Sequence, residues 1–580
     1  MKKFVLFCLL VTVTFGYADD TKISPELQGY NSSQPVQVIV QYAPGTQPGT
    51  QTSCSGLLGL VDCVVGDLLN IVGQLPLING VVALVDGTGI VNLSNQSNVV
   101  YISSDRPLST LDVAPPAVNA EVAWQSGYTG TGIGVALIDS GVNSHPDLYT
   151  GILPVSRVVY NQSFVSGTSS TADQYGHGTH IAGLIAGDGV ASTGPAFSLT
   201  FTGIAPGAKI INLRVLDANG GATDSQVIAA INQAISLKSK YNIRVINLSL
   251  GRAVYESYKL DPLCQAVEKA WKSGIVVVVA AGNNGRYLPT SGYGTVTAPG
   301  NDPYVITVGA MKPMGTPQRT DDLIASYSSK GPTVVDRIVK PDLVAPGNLL
   351  ISTDTPGTTL ETTETSNLVP YNLYEYGGGS SPSAYYFTLS GTSMATGVVS
   401  GAVADLLQAQ PRLTPDQVKA RLMKTAYKTF PQSSSVYDPT TGNTYTDQYD
   451  MFTVGAGYLD IAAALASTDL ANGTAMSPVA NYDTTSGNVY LTFDKSSVWG
   501  NSAMWGSSTV WGSNQFTSAT SAMWGSSALW GSSAMWGSSA MWGSSAMWGS
   551  SAMWGSSAMW GSSAMWGSSA MWGSSVAGGE

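Results

Sequence analysis

The stretch Gly274-Ile275-Val276-Val277-Val278-Val279-Ala280-Ala281 runs through seven apolar residues after its glycine without a polar interruption. Five in succession, Ile275 to Val279, are β-branched. Such side chains are stiff at χ1 and crowd the preceding turn of a helix, so the run reads as a strand rather than a short core helix. It does not alternate between apolar and polar positions, which places both of its faces in the interior. Comparable runs lie on either side: VALI at 135–138, KIINLRVL at 209–216, RVINLSL at 244–250 and YVITVGA at 304–310. Helical stretches separate them. One covers 224–240, and another opens with Thr414-Pro415-Asp416-Gln417, where Thr caps, Pro takes the first turn and Gln completes a capping box. This alternation, from Ala120 to about Ala466, predicts an α/β fold with a parallel sheet and helices on both faces.

Segments of different character flank this core. Residues 1–18 combine a basic start at Lys2 and Lys3, an apolar run at 4–15 and the small residues Gly16 and Ala18. That pattern is a secretory signal peptide, too short to span a bilayer. Residues 19–115 read as a small α+β unit, with VQVIVQY at 36–42, an apolar glycine-broken stretch at 57–72, GVVALVD at 80–86, a helical stretch near 90–93 and NVVYISSD at 98–105. The expected order is β-α-β-β-α-β. Beyond the core, a polar linker at 468–495 leads to a repeat tail at 496–580. Trp recurs there at 499, 505 and 511 and, after a one-residue slip, every six residues from Trp524 to Trp572, most often as AMWGSS. An even period puts every Trp beyond the slip on one face of an extended chain and every Met on the other. An aromatic row of this kind suits contact with a glycan, polymer or cell surface. A stacked β-solenoid and a disordered extension that is trimmed away are the other readings.

The 26 Lys and Arg residues against 37 Asp and Glu give a net charge of −11, which argues against nucleic acid as a partner. Without Cys8 of the leading segment, Cys54, Cys63 and Cys264 remain, an odd number and no disulfide scaffold. Cys54 and Cys63 are close enough in sequence to bridge locally. Cys264, beside Leu263, Ala266 and Val267, reads as a small buried hydrophobe.

Three segments carry reactive side chains. In VALIDSGVNSHPDL (135–148) an apolar strand ends at Asp139, and carboxyl ends of parallel strands are where α/β sheets bind ligands. In YGHGTHIAG (175–183) glycines flank His177 at a helix start. In LSGTSMATG (389–397) Ser393 opens a helix. Serine is a poor nucleophile near neutral pH and needs a base, itself oriented by a third group. Asp139, His177 and Ser393 supply these roles, and the N–H groups of the helix start favour a developing oxyanion beside Ser393. Asn283, in AAGNNG at the end of the 275–281 strand, is the candidate for a second oxyanion donor. Histidine occurs only at 145, 177 and 180. His145, before Pro146, reads as a turn residue. His177 and His180 are near enough to suggest a metal pair, but further His, Cys or Glu ligands at short spacing are missing.

The motifs DSGV, HGTHIAG, AAGNN, KPDLVAPG and GTSMA, in this order, closely resemble the signatures of the subtilisin-like serine proteases. The resemblance spans Ala120 to Ala466, ends on GYLDIAAAL, and makes 116–467 the expected peptidase domain. It implies a serine endopeptidase that hydrolyses protein or peptide substrates without a cofactor for the chemistry. Asp139 would orient the imidazole, His177 would act as base and then acid, Ser393 would attack, and Asn283 with the Ser393 N–H would hold the oxyanion. Ser249, Leu250 and Gly251 resemble a wall of the first specificity pocket, and Gly220, Gly221 and Ala222 the edge strand that pairs with substrate. The segment at 35–105 resembles the family's inhibitory propeptide, with cleavage between Asp105 and Ala120, so an autoprocessed, secreted zymogen is expected.

Three features depart from the family pattern. Thr396 is followed by Gly397 where a proline is usual, which would loosen the helix start. The 44-residue interval between Gly347 and Gly391 is long and suits a loop over the substrate cleft. Asp147 matches a family ligand for structural calcium, yet no convincing partner loop follows His180, and a carboxylate after His-Pro is equally a turn residue.

Overall fold

The computed structural model describes residues 19–492 apart from 25–26, 47–69, 76–77, 105–113, 151–154, 439–440 and 484–487, together with 509–511 and 514–516. The signal segment, Cys54, Cys63 and nearly all of the repeat tail lie outside the described residues. Two short tail strands, Thr509–Trp511 and Asn514–Phe516, pair antiparallel.

The chain divides into two compact units after Leu108. In the first, four antiparallel strands lie in the order Asn70–Leu75, Gly80–Val85, Val36–Tyr42 and Val99–Ser104. Alternation along Val36–Tyr42 turns Val38, Val40 and Tyr42 inward, where they meet Val81, Ala83, Ile90 and Ile102. The helix Gly87–Ser94 is capped by Asp86, whose carboxylate accepts the Gly89 N–H at 2.8 Å. The expected strands at 36–42, 80–86 and 98–105 are present. The stretch at 57–72, expected to supply a helix between the strands at 36–42 and 80–86, lies outside the described residues up to 69 and then begins the strand Asn70–Leu75.

The second unit is built on the expected parallel sheet. Its strands run Val158–Ser163, Lys209–Arg214, Gly134–Asp139, Ile243–Leu248, Val276–Ala280 and Ile306–Lys312. Leu343–Pro346 adds a further parallel strand to the last of these, and Leu323–Ile324 a short antiparallel one. Every residue of Val276–Ala280 is buried, as its uninterrupted apolar pattern requires. The strand Gly134–Asp139 comes first in this sheet but lies inside it. The chain next builds to one side of it, through 158–163 and 209–214, and then crosses to the other at Ile243–Leu248. The winding direction therefore reverses beside Asp139, and such a switch point opens a crevice at the carboxyl ends of the strands.

Two helix pairs cover the sheet. Asp224–Tyr241 packs on Pro262–Lys272, and His177–Ala186 on Thr392–Ala409. The capping box at Thr414 forms as its sequence implies. Cys264 is fully buried, as expected of a small apolar side chain, and its thiol donates to Asn301 Oδ1 at 3.3 Å. The short helix Ala114–Ala117 also belongs to this unit, because Ala114 and Val118 pack into its core. Residues expected in a polar linker are docked as well: Ala475 and Ala480 are fully buried, and Ser477 hydrogen-bonds Asp342.

The helix Thr392–Ala409 is buried from Thr392 through Leu407 and runs unbroken past Gly397. Small residues make that burial sterically feasible. A Cβ on Gly401 would sit 2.6 Å from the Ile204 Cβ, whereas one on Gly397 would meet Ile181 and Leu184 at an ordinary 3.4–3.5 Å. Gly401→Ala should therefore lower the melting temperature through overpacking worth about 1–3 kcal/mol. Gly397→Ala should raise it, since alanine is favoured over glycine in a helix by about 1 kcal/mol. Differential scanning calorimetry of the two variants checks the opposite signs.

Candidate active site

Asp139 is the last residue of its strand, His177 the first of its helix and Ser393 the second of its own. All three are buried where the sheet reverses. The turn before His177 passes through Gly176 at φ +103°, a left-handed conformation that suits glycine. Gly178, just after it, lets the helix approach the strand: a Cβ there would lie 2.2 Å from the Gly141 carbonyl oxygen. That closeness brings His177 Nδ1 to 2.8 Å from Asp139 Oδ1. The same oxygen accepts the Ser140 N–H at 2.8 Å, so the carboxylate is held on two sides.

Burial opposes a charge on His177, but the adjacent Asp139 charge and hydrogen bond outweigh it, and the imidazole pKa rises above the ordinary 6.5. Its Nε2 is buried without a hydrogen-bond partner. Ser393 Oγ instead donates to the Ser249 carbonyl at 3.2 Å, and Ser249 Oγ donates back to the Ser393 carbonyl at 2.9 Å. The hydroxyl is thus engaged by the wall of the site at Ser249 and not by the His177 imidazole. Such looseness is common when no substrate is bound.

Asp173, four residues before His177, went unnoticed in the sequence. It is buried and accepts the N–H groups of Gly176 and Thr179 at 2.7 Å, as well as the hydroxyls of Thr179 and Ser140 at 2.7 and 2.8 Å. It therefore caps the helix that presents the imidazole, from further upstream than an ordinary N-cap. The signal was an acidic residue shortly before a glycine-led helix start.

The Asn283 carboxamide is oriented by the helix that carries Ser393. Its Oδ1 accepts both the N–H and the hydroxyl of Thr392, at 2.9 and 3.0 Å. This leaves Nδ2 on the side of Gly391, where an added Cβ would sit 3.3 Å from Nδ2 and 3.7 Å from the Ser393 nitrogen. The missing side chain of Gly391 marks a small space flanked by two N–H donors. First-turn N–H groups such as that of Ser393 have no acceptor within their own helix.

Ser249 and Leu250 are buried, and Gly251 faces a second wall: a Cβ there would lie 2.7 Å from both Thr297 Oγ1 and the Ala298 carbonyl oxygen. A Cβ on Gly282 would lie 2.9 Å from Thr297 Cγ2. Thr297, also missed in the sequence, fills the gap between these two glycines. Gly220, Gly221 and Ala222 lie in an irregular segment rather than a strand. Asp217 Oδ1 accepts the Asn219 and Gly221 N–H groups and closes a turn there, while Gly220, at φ +78°, sits over the Tyr175 ring.

The other two histidines are structural in their contacts. His145 Nδ1 accepts the Asp147 N–H, and its Nε2 lies 2.9 Å from the Tyr385 carbonyl. His180 Nε2 faces the carbonyls of Leu350 and Phe387, and burial pushes its pKa down to about 3. Among the described residues no three His, Cys, Asp or Glu side chains gather as a metal site.

Comparison with known families matches residues 130–457 to the subtilase family of peptidases. Serine protease AprX of Bacillus subtilis (strain 168) is 36% identical over 357 residues, which cover 60% of this chain and 73% of the relative. Subtilisin E of the same organism is 34% identical over 364 residues, 61% of this chain and 77% of the relative. An alkaline protease of Shouchella clausii is 32% identical over 332 residues, 57% and 69% of the two chains. With its parallel sheet, its switch-point crevice and these relatives, the chain belongs to the subtilase family and is a serine-type endopeptidase that hydrolyses peptide bonds.

Proposed function

We propose that Asp139, His177 and Ser393 are the triad of this endopeptidase and that Asn283 Nδ2 and the Ser393 N–H form its oxyanion hole. The observation that carries the reading is the 2.8 Å Asp139–His177 contact, with Nε2 buried and unpartnered at the start of a helix that packs on the helix opened by Ser393. Asp139 holds the imidazole with Nδ1 protonated, so Nε2 is free to take the Ser393 proton as Oγ attacks the scissile carbonyl. The carbonyl oxygen becomes an anion and enters the space beside Gly391. His177 then protonates the leaving amine, and a water molecule, activated by the same nitrogen, releases the acyl group. None of these steps calls for a cofactor.

Ser249, Leu250, Gly251 and Thr297 line a slot for the side chain before the cleaved bond, and of the Gly220–Ala222 segment, whose first two residues are held in the Asp217 turn, the exposed Ala222 backbone would serve main-chain pairing with substrate. The first unit acts as an inhibitory propeptide on a secreted zymogen. Burial of Ala114 and Val118 in the core of the second unit supports cleavage upstream of Ala114. Among the described residues no helix is long and apolar enough to cross a membrane, and the basic and apolar pattern of residues 1–18 supports export. The Trp-rich tail would add contact with a surface or polymer.

Ser393→Ala is expected to lower kcat on a peptide substrate by about 10⁶ and to abolish labelling by a fluorophosphonate, with the circular dichroism spectrum unchanged. Full retention of turnover would remove Ser393 from the mechanism. The oxyanion assignment is tested by Asn283→Ala and Gly391→Ala, the first deleting a donor and the second filling the space. Each should reduce kcat by about 10²–10³ with little change in KM.

The pH dependence follows from the raised pKa of His177. Catalysis needs the neutral imidazole, and a raised pKa keeps the ring protonated to higher pH. The acid limb of kcat/KM should therefore have its midpoint above 6.5. Asp139→Asn removes the charge that raises it, so the limb should move to lower pH as kcat falls by about 10⁴.

A further inference from the structure

Asp147 lies in the His-Pro-Asp-Leu turn and is completely buried. A carboxylate taken out of water must be matched by donors or by a cation. Here protein donors occupy both of its oxygens: Oδ1 accepts the Ala191 N–H at 2.7 Å, and Oδ2 accepts the Tyr386 hydroxyl at 2.8 Å. Tyr386 Oη also lies 2.8 Å from Ser192 Oγ, and the Asp188 N–H reaches the Asp147 carbonyl at 3.0 Å.

A calcium ion takes six to eight oxygen ligands. The loop that follows the His177–Ala186 helix has committed such oxygens elsewhere. The Gly187 carbonyl accepts the Gly203 N–H, the Gly189 carbonyl accepts the Ser192 N–H and the Thr193 hydroxyl, and the Ser192 carbonyl accepts the Thr200 hydroxyl. On its far side the Tyr386 ring stands edge-on to Phe201 and Tyr374, at 4.7 and 5.2 Å between centroids, which makes the surroundings apolar. The nearby Asp188 carboxylate is itself taken by the Val190 N–H and Arg157, so what remains is one carboxylate with two aimed donors and an aromatic cluster, which does not fit a hard cation.

We infer that Tyr386, delivered by the long insertion between Gly347 and Gly391, takes the place of a calcium ion at Asp147 and fastens the 187–203 loop to the strand Pro382–Leu389 by protein contacts alone.

Full-length protein carrying Ser393→Ala, which prevents self-digestion, provides the test. Its melting temperature should agree within about 1 °C in 5 mM EGTA and in 5 mM calcium chloride. Adding Tyr386→Phe should lower it by about 2–4 °C in both buffers. Asp147→Asn should be tolerated, because the amide accepts the Ala191 N–H and keeps a hydrogen bond to the phenol. A calcium response that survives Asp147→Asn undiminished places any cation elsewhere and leaves the inference standing. A rise of several degrees in calcium that disappears with Asp147→Asn would overturn it, and so would a Tyr386→Phe variant as stable as its parent.

Discussion

The reversal of winding beside the strand Gly134–Asp139 is the constraint on which the rest of the site depends. Parallel strands need crossover connections, and a sheet that winds both ways from an interior strand must leave two neighbouring strand ends diverging. Asp139 stands at one such end, and Ser249 follows the adjoining strand Ile243–Leu248 directly. The helix starts at His177 and Thr392 then face the crevice from the same side of the sheet, because those two helices pack on each other. Residues far apart in sequence meet there because backbone topology brings them together.

Topology alone would leave the groups loose by the ångström or so that matters for proton transfer. What tightens them is a set of buried polar contacts. Asp173 ties the N-terminal turn of the His177 helix to Ser140, the neighbour of Asp139. Asn247 donates to Ser249 Oγ and accepts from Ser400 Oγ, linking the strand end to the body of the Ser393 helix. Thr392 binds Asn283 Oδ1 and accepts the Gly282 N–H, which joins that helix start to the neighbouring strand end. Each bond is modest in net terms, yet leaving one buried partner unmatched costs more than the bond supplies, so the set favours one arrangement.

This division explains what could be read from the sequence. The strand at Val276–Ala280 and the capping box at Thr414 are local patterns, and they appear where periodicity and cap chemistry put them. The Asp139–His177 contact was legible for a related reason, since strand ends and glycine-led helix starts announce themselves. Thr297 and Tyr386 are different. Thr297 matters because Gly251 and Gly282 both leave room for it, and Tyr386 because it meets an aspartate 239 residues earlier in the chain. No local pattern marks either residue. The expectation of an edge strand at Gly220–Ala222 came from likeness alone, and here Asp217 competes successfully for the backbone N–H groups and closes a turn.

The long insertion shows how an added segment can tighten a site. Strand Leu350–Thr353 enters it with Ser352 and Thr353 donating to the His180 and Thr179 carbonyls of the helix that begins at His177. Gly183 permits that approach, since a Cβ there would lie 2.3 Å from Ser352 Oγ. Further on, the Thr359 and Leu360 N–H groups donate to the Gln174 and Tyr175 carbonyls, just ahead of His177. The segment returns as Pro382–Leu389, antiparallel to its first strand, and passes within four residues into Ser393. Its first part therefore grips the histidine helix, while its returning strand supplies Tyr386 to Asp147 and leads into the serine helix. A segment anchored at these points ties the His177 and Ser393 helices to each other, so extra length here adds constraint to the site.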